Sequence, residues 1–320
     1  MKSNGCRLGW QLGCRSIIFL CFFLLVSEVY GLSKDVEKEK DNTLPAFLIT
    51  TGVCGSLLTL GAIWRWNDVE YTGRWKMGGE GFFGKNTYAG GADKFGHFYA
   101  NYVEFRTLTK LYEIIGIEHN NALNLSALAI FLLGTGVEAI DAFTTYGFAY
   151  DDVIFNSLGI GLGYLSEKYP EFDSLIDFRL GYIPSPRYLE MDKGSNFICK
   201  YISLTNDYSG MMFFLDVKFA GMGEVILSTP LKYLLFGINY NTIDYSPRGN
   251  DKQRNLGVHV GLNVPVILKN IFKDNKGIKI SCTILEYYAF PFTNLVIQYD
   301  LNREKTKLNF GISGRIEINF

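Results

Sequence analysis

Hydrophobic positions in this chain change their spacing several times, and each change marks a boundary between elements. The first apolar run, SIIFLCFFLLV from Ser16, follows Lys2, Arg7 and Arg15 and leads to a cleavage site after Val29-Tyr30-Gly31. That order predicts a secretory signal over residues 1–31, with a retained signal anchor as the alternative. Residues 32–43, which include SKDVEKEKDN, carry no apolar period and read as a charged, solvated linker. The stretch from Leu44 to Trp64 is long and apolar enough to span a bilayer, while its Gly52, Gly55 and Ser56 equally suit a closely packed buried helix.

Polar, aromatic and glycine-rich residues from Arg65 to Gly91 predict a long loop. Helical spacing follows at about residues 93–115, 121–142 and 152–166, and together with Leu44–Trp64 it predicts a helical bundle over 44–169. From about Leu175 the period becomes two. In NLGVHVGLNV, Leu256, Val258, Val260, Leu262 and Val264 share one face, opposite Asn255, Gly257, His259, Gly261 and Asn263. In the last segment Leu308, Phe310, Ile312, Ile316, Ile318 and Phe320 stand opposite Asn309, Ser313, Arg315, Glu317 and Asn319. Similar alternation starts near Ile176, Phe197, Met211, Lys232, Ile278 and Leu295, so the count comes to about eight strands over residues 175–320.

The expected fold class is therefore α+β, an N-terminal helical bundle followed by an antiparallel, eight-stranded β-barrel. An apolar outside with a polar, glycine-rich inside is the pattern of an outer-membrane barrel, and the terminal Phe320 with alternating hydrophobics before it resembles the assembly signal of such barrels. A soluble sheet with one wet face gives the same alternation and is the competing expectation. His259 then reads as a passive polar group of the lumen or surface.

Composition narrows the function classes. A formal net charge of −1 without a Lys/Arg-rich block excludes a nucleic-acid binder held by phosphate contacts, and 15% aromatic residues suits a membrane interface. Membrane lipid is the expected partner, with envelope proteins or glycan beside it. Loss of the signal would leave Cys54, Cys199 and Cys282, an odd set without metal spacing; an oxidising compartment would permit a Cys199–Cys282 bridge, but both fall on apolar faces of expected strands and read as small buried or lipid-facing hydrophobes. Cys21 lacks the small residues that precede a lipidated cysteine, so no lipid anchor is expected there.

The candidate chemistry lies on the helices. GGADKFGHFYANY places Asp93, Lys94 and His97 at a helix start, GVEAIDAF supplies Glu138 and Asp141, and DDVIFNSLG supplies Asp152 and Asn156. Ionisable groups on such apolar helices need partners, because an unpaired buried charge costs several kcal/mol. Three readings of the cluster stand open. The first is a structural ion-pair network, with Asp93 capping its helix and Lys94 paired to Glu138 or Asp152. The second is a divalent metal held by His97, Glu138, Asp141 and Asp152, with a hard ion favoured by the shortage of histidines. The third is metal-free hydrolysis or acyl transfer, with His97 as general base, Asp93 or Glu138 orienting it, and Lys94 or Asn156 stabilising an oxyanion. No cofactor is required by the sequence.

The same motifs, TYAGGADKFGHFYANY, GVEAIDAF and YDDVIFNSLGIGLGYL, resemble the YfiM-like family of predicted periplasmic proteins, a domain of unknown function, over roughly Leu44 to Tyr169. Their order is more loosely similar to the VanZ-like membrane proteins. The resemblance selects Asp93, Lys94, His97, Glu138, Asp152 and Asn156, with Tyr102 as a lesser candidate and Asp141 as a departure from the VanZ-like pattern. It implies a cell-envelope protein, and the expected barrel adds the outer membrane as its location, with the inner membrane as the alternative. It implies no reaction, and a membrane-proximal hydrolase or acyltransferase acting on envelope lipid or glycan is the second function class.

Overall fold

The computed structural model describes residues 50, 71–79, 81–191, 207–246, 248–273, 275–310 and 314–319. The expected signal, the linker, all of Leu44–Trp64 except Thr50, the expected strand at Phe197, and Cys54 and Cys199 lie outside these residues. The chain divides into two compact units, one comprising residues 1–82, 96–168 and 201–205, the other residues 83–95, 169–200 and 206–320.

The first unit is helical. Its elements are α1 (Ala92–Ile114, whose first turn clusters with the second unit), α2 (His119–Asp141) and α3 (Tyr150–Lys168), each within a few residues of its expected span. Gly116 closes α1 at φ +92°, a conformation open to glycine at little cost, and Ile117 N–H returns to the Tyr112 carbonyl at 3.0 Å. Glu118 caps α2 by accepting from Asn121 N–H at 3.1 Å. Phe105, Leu108, Tyr112, Leu123, Ile130 and Ile160 form the core. Leu128, Phe131 and Leu132 of α2 and Ile154, Leu158 and Leu165 of α3 are exposed instead, and α2 is long and apolar enough to cross a membrane by length and composition. The loop before α1 is ordered at residues 71–79 by pairing with the α2–α3 connection: Lys76 N–H donates to Ala142 O, and Phe148 N–H to Lys76 O, both at 2.8 Å. Trp75 stacks on Phe148 there, with ring centroids 5.4 Å apart.

The second unit is built on a seven-stranded antiparallel meander in sequence order, with β1 at Ile176–Tyr182, β2 at Met211–Lys218, β3 at Leu234–Ile243, β4 at Gln253–Leu262, β5 at Asn294–Asp300, β6 at Lys305–Phe310 and β7 at Gly314–Asn319. Among the described residues β1 and β7 are its two ends, so the sheet is open and the expected closed barrel is corrected, with seven strands in place of about eight. Three segments account for the count: the expected strand at Phe197 lies outside the described residues, the one at Ile278 is replaced by a helix, and the final one is divided in two. The alternation at Ile278 belongs to a helix, because Asn275 caps Ile278 N–H at 3.1 Å and starts a turn that buries Cys282 four residues on. With Val264–Ile271 as α4, this Lys276–Leu285 helix is α5. The final alternating run, expected as one strand, is divided into β6 and β7, and Gly311 and Gly314 are the signals passed over in it. Cys282 is a free, buried thiol on α5 rather than a strand residue.

The polarity of the sheet follows the expected alternation. Asp177, Arg179, Asp216, Asn239, Asn241, Asn255, His259, Gln298 and Asp300 are all buried on one face. On the other face, the directly paired row Leu215, Ile238, Val258 and Ile297 is exposed, with Val258 at 56%. Part of this apolar face, around Phe178, Phe213 and Tyr240, is covered by residues 83–95. Phe95 lies 5.4 Å from the Tyr240 ring and 5.7 Å from Phe213, and Tyr245 O–H donates to Lys85 O at 2.9 Å.

Candidate functional site

Glycines let polar side chains from all three helices meet. A Cβ at Gly134 of α2 would stand 3.0 Å from Asn156 Nδ2 and 3.2 Å from Asn101 Oδ1, and one at Gly159 of α3 would stand 2.1 Å from the Phe98 carbonyl oxygen of α1. With no Cβ in the way, His97 on α1, Glu138 on α2 and Asp152 on α3 bring one ligand atom each to within 4.8 Å of one another. His97 and Glu138 are buried and Asp152 half-buried.

The hydrogen bonds around His97 fix its tautomer. Asn101 Nδ2 donates to the His97 carbonyl at 2.8 Å, which sets the orientation of the Asn101 amide. The same nitrogen meets Asn156 at 2.5 Å, so the Asn156 atom there is the acceptor Oδ1. That oxygen lies 3.1 Å from His97 Nδ1, and an acceptor facing Nδ1 requires the proton on Nδ1. In the neutral imidazole Nε2 then carries a lone pair, and it points toward Asp152 Oδ2 at 3.7 Å. Asn101, four residues after His97, is a member of this group that the sequence reading passed over. The i, i+4 spacing inside HFYAN was the available signal.

The other expected residues fall differently. Asp93 and Lys94 occupy the first turn of α1 and pair with each other at 2.8 Å. Asp141 is buried at the end of α2, where its backbone carbonyl accepts from Thr144 and Gly147 N–H, and it is outside the His97, Glu138 and Asp152 group. Three residues after Glu138, it lies about 300° around the helix, close in projection but a turn further along.

Tyr102 belongs to a separate network. Its hydroxyl accepts from Arg106 at 2.9 Å, Arg106 Nε pairs with Glu167 at 2.6 Å, and Lys110 reaches Glu167 at 2.7 Å. Burial alone would push the Glu167 carboxyl up, but the Arg106 and Lys110 charges outweigh it and hold it below the ordinary 4.5. A carboxyl lowered on folding stabilises at neutral pH, and that stabilisation is lost as pH falls through the folded value, below 4.5. Glu167→Gln should therefore be less stable than the native chain near pH 7. The gap should close on acidification, as read by urea midpoints measured across pH 3–7 (about the range in which carboxylates titrate). A gap that stays constant with pH would remove the charge from this account.

The fold and the site together define a two-unit protein, with a polar cluster enclosed by apolar helices and a sheet whose polar face is the buried one. Residues 79–168 match the family model described as predicted periplasmic lipoprotein (DUF2279), a stretch that contains α1 to α3 and every residue of the cluster. The match supports a cell-envelope setting and a domain of unknown function. No curated protein and no solved structure matched.

Proposed function

We propose that this chain is a structural or interaction component of the bacterial envelope. It is held at the outer membrane by its sheet, and its YfiM-like helical unit meets envelope proteins or glycan. The observation that carries the reading is the reversed polarity of the sheet. In water, burial of a large apolar side chain is worth about 1.5–3 kcal/mol, so a sheet that buries its Asp, Asn, Gln and His residues and exposes Leu215, Ile238, Val258 and Ile297 is set up for hydrocarbon on its outer face. The soluble alternative would show the wet face polar. Lipid is favoured over a protein partner because the exposed row continues through four adjacent strands, at 37% to 56% exposure, without the polar rim of a protein interface.

Membrane fractionation tests it. The full chain expressed in a Gram-negative host should sediment with the outer membrane and resist alkaline carbonate. Val258→Arg should weaken that retention, since it sets a charge in the middle of the exposed apolar row. Release of the native chain by carbonate, or recovery with the inner membrane, would overturn the outer-membrane reading.

A further inference from the structure

We propose that His97, Glu138 and Asp152 bind a divalent first-row transition cation of the Mn²⁺ or Zn²⁺ class. The three side chains come from three helices, and their donor atoms converge to within 4.8 Å. Ligand atoms around one such ion stand about 3–4 Å apart, given bond lengths of about 2.0–2.2 Å, so side-chain shifts of about an ångström close the set.

Convergence alone would describe any acidic pocket, and the second observation is the imidazole. His97 donates from Nδ1 to Asn156 Oδ1, whose orientation is dictated by Asn101 and, through it, by the His97 carbonyl. In the neutral imidazole that chain of bonds leaves Nε2 as the acceptor, on the side of Asp152, which is how metal-binding histidines are held by the groups behind them. A histidine whose role was to pair with Asp152 as a neutral donor would carry its proton on the opposite nitrogen. Asn156 is 2% exposed, so the group behind the imidazole is held inside the helical unit, with its Nδ2 facing Gly134 of α2.

One imidazole nitrogen with two carboxylates suits Mn²⁺ or Zn²⁺ better than Mg²⁺ or Ca²⁺, which prefer all-oxygen shells, so the hard ion expected from the shortage of histidines gives way to one that accepts mixed nitrogen and oxygen donors. Three protein ligands also leave a coordination position open, the arrangement of catalytic rather than structural metal sites.

Titration of the metal-free full chain in detergent with Mn²⁺, Zn²⁺, Mg²⁺ and Ca²⁺ should show one Mn²⁺ or Zn²⁺ per chain and weaker Mg²⁺ and Ca²⁺. His97→Gln and Asp152→Asn should abolish that binding, and Asn156→Leu should weaken it by about 10- to 100-fold, the usual effect of removing the group behind a metal-bound histidine. Should the variants misfold, pulsed electron paramagnetic resonance of Mn²⁺ on the native chain decides the matter through nitrogen coupling from one imidazole. Absence of stoichiometric binding by the folded native chain, binding unchanged in His97→Gln, or bound Mn²⁺ without nitrogen coupling would each overturn the proposal. None of these outcomes depends on where the sheet resides, so the metal site and the membrane reading fail separately.

Discussion

Asp216→Leu should destabilise the sheet unit by about 3–5 kcal/mol, the usual cost of removing one partner from a buried ion pair. Asp216 on β2 has no exposure at all, and its two oxygens are divided between Arg179 Nε of β1 at 2.5 Å and His259 Nε2 of β4 at 2.6 Å. The carboxylate reaches across β3 because the residue between it and His259 in the sheet register is Gly237. Phe214 fills the space beside the triad, edge-on to His259 at 4.9 Å and under the Arg179 guanidinium at 5.8 Å. Leucine would leave the Arg179 charge buried against apolar rings, with no carboxylate to answer it. Replacing Arg179, Asp216 and His259 together by leucine should cost much less than Asp216→Leu, because no uncompensated charge is left behind. Urea unfolding of the two variants in detergent checks the order. A triple variant less stable than the single one would show that the triad is favourable in itself rather than costly only when broken.

His259 marks a limit of the sequence. Alternation placed it on the polar face of β4, which is where it lies, but its partners come from strands 43 residues and more away in the chain, and no local pattern reports them. The same limit explains the helical unit. Apolar spacing located α1, α2 and α3 closely, and the motifs containing His97, Glu138, Asp152 and Asn156 stood out because polar groups interrupt apolar periods. The exclusion of Asp141 and the inclusion of Asn101 depend on helix rotation and on side-chain hydrogen bonds, which spacing does not set. In the sheet unit the period-two rule identified most strands and both faces. It failed at Ile278, where an Asn cap and a helical turn override a short alternating run, and in the terminal segment, where alternation continues across a break between two strands. Closure of a barrel depends on strand number and stagger together, and alternation counts strands inexactly and carries no stagger.

Gly159→Val should reach the proposed metal site from a distance. The Cβ of any residue at Gly159 would overlap the Phe98 carbonyl oxygen at 2.1 Å, and backbone at that contact cannot rotate away as a side chain could. α3 must then move off α1 beside His97, which separates the helix carrying Asp152 and Asn156 from the one carrying His97 and Asn101. Overpacking of this kind costs about 1–3 kcal/mol. Gly161→Ala on the same helix is the control: its Cβ would meet nothing within 4 Å, so it should stabilise α3 by about 0.5–1 kcal/mol through helix propensity. Thermal unfolding should move in opposite directions for the two variants, and Mn²⁺ affinity should fall only for Gly159→Val. Equal Mn²⁺ affinity in both, with Gly159→Val measurably destabilised, would mean that the close approach of α1 and α3 serves packing alone.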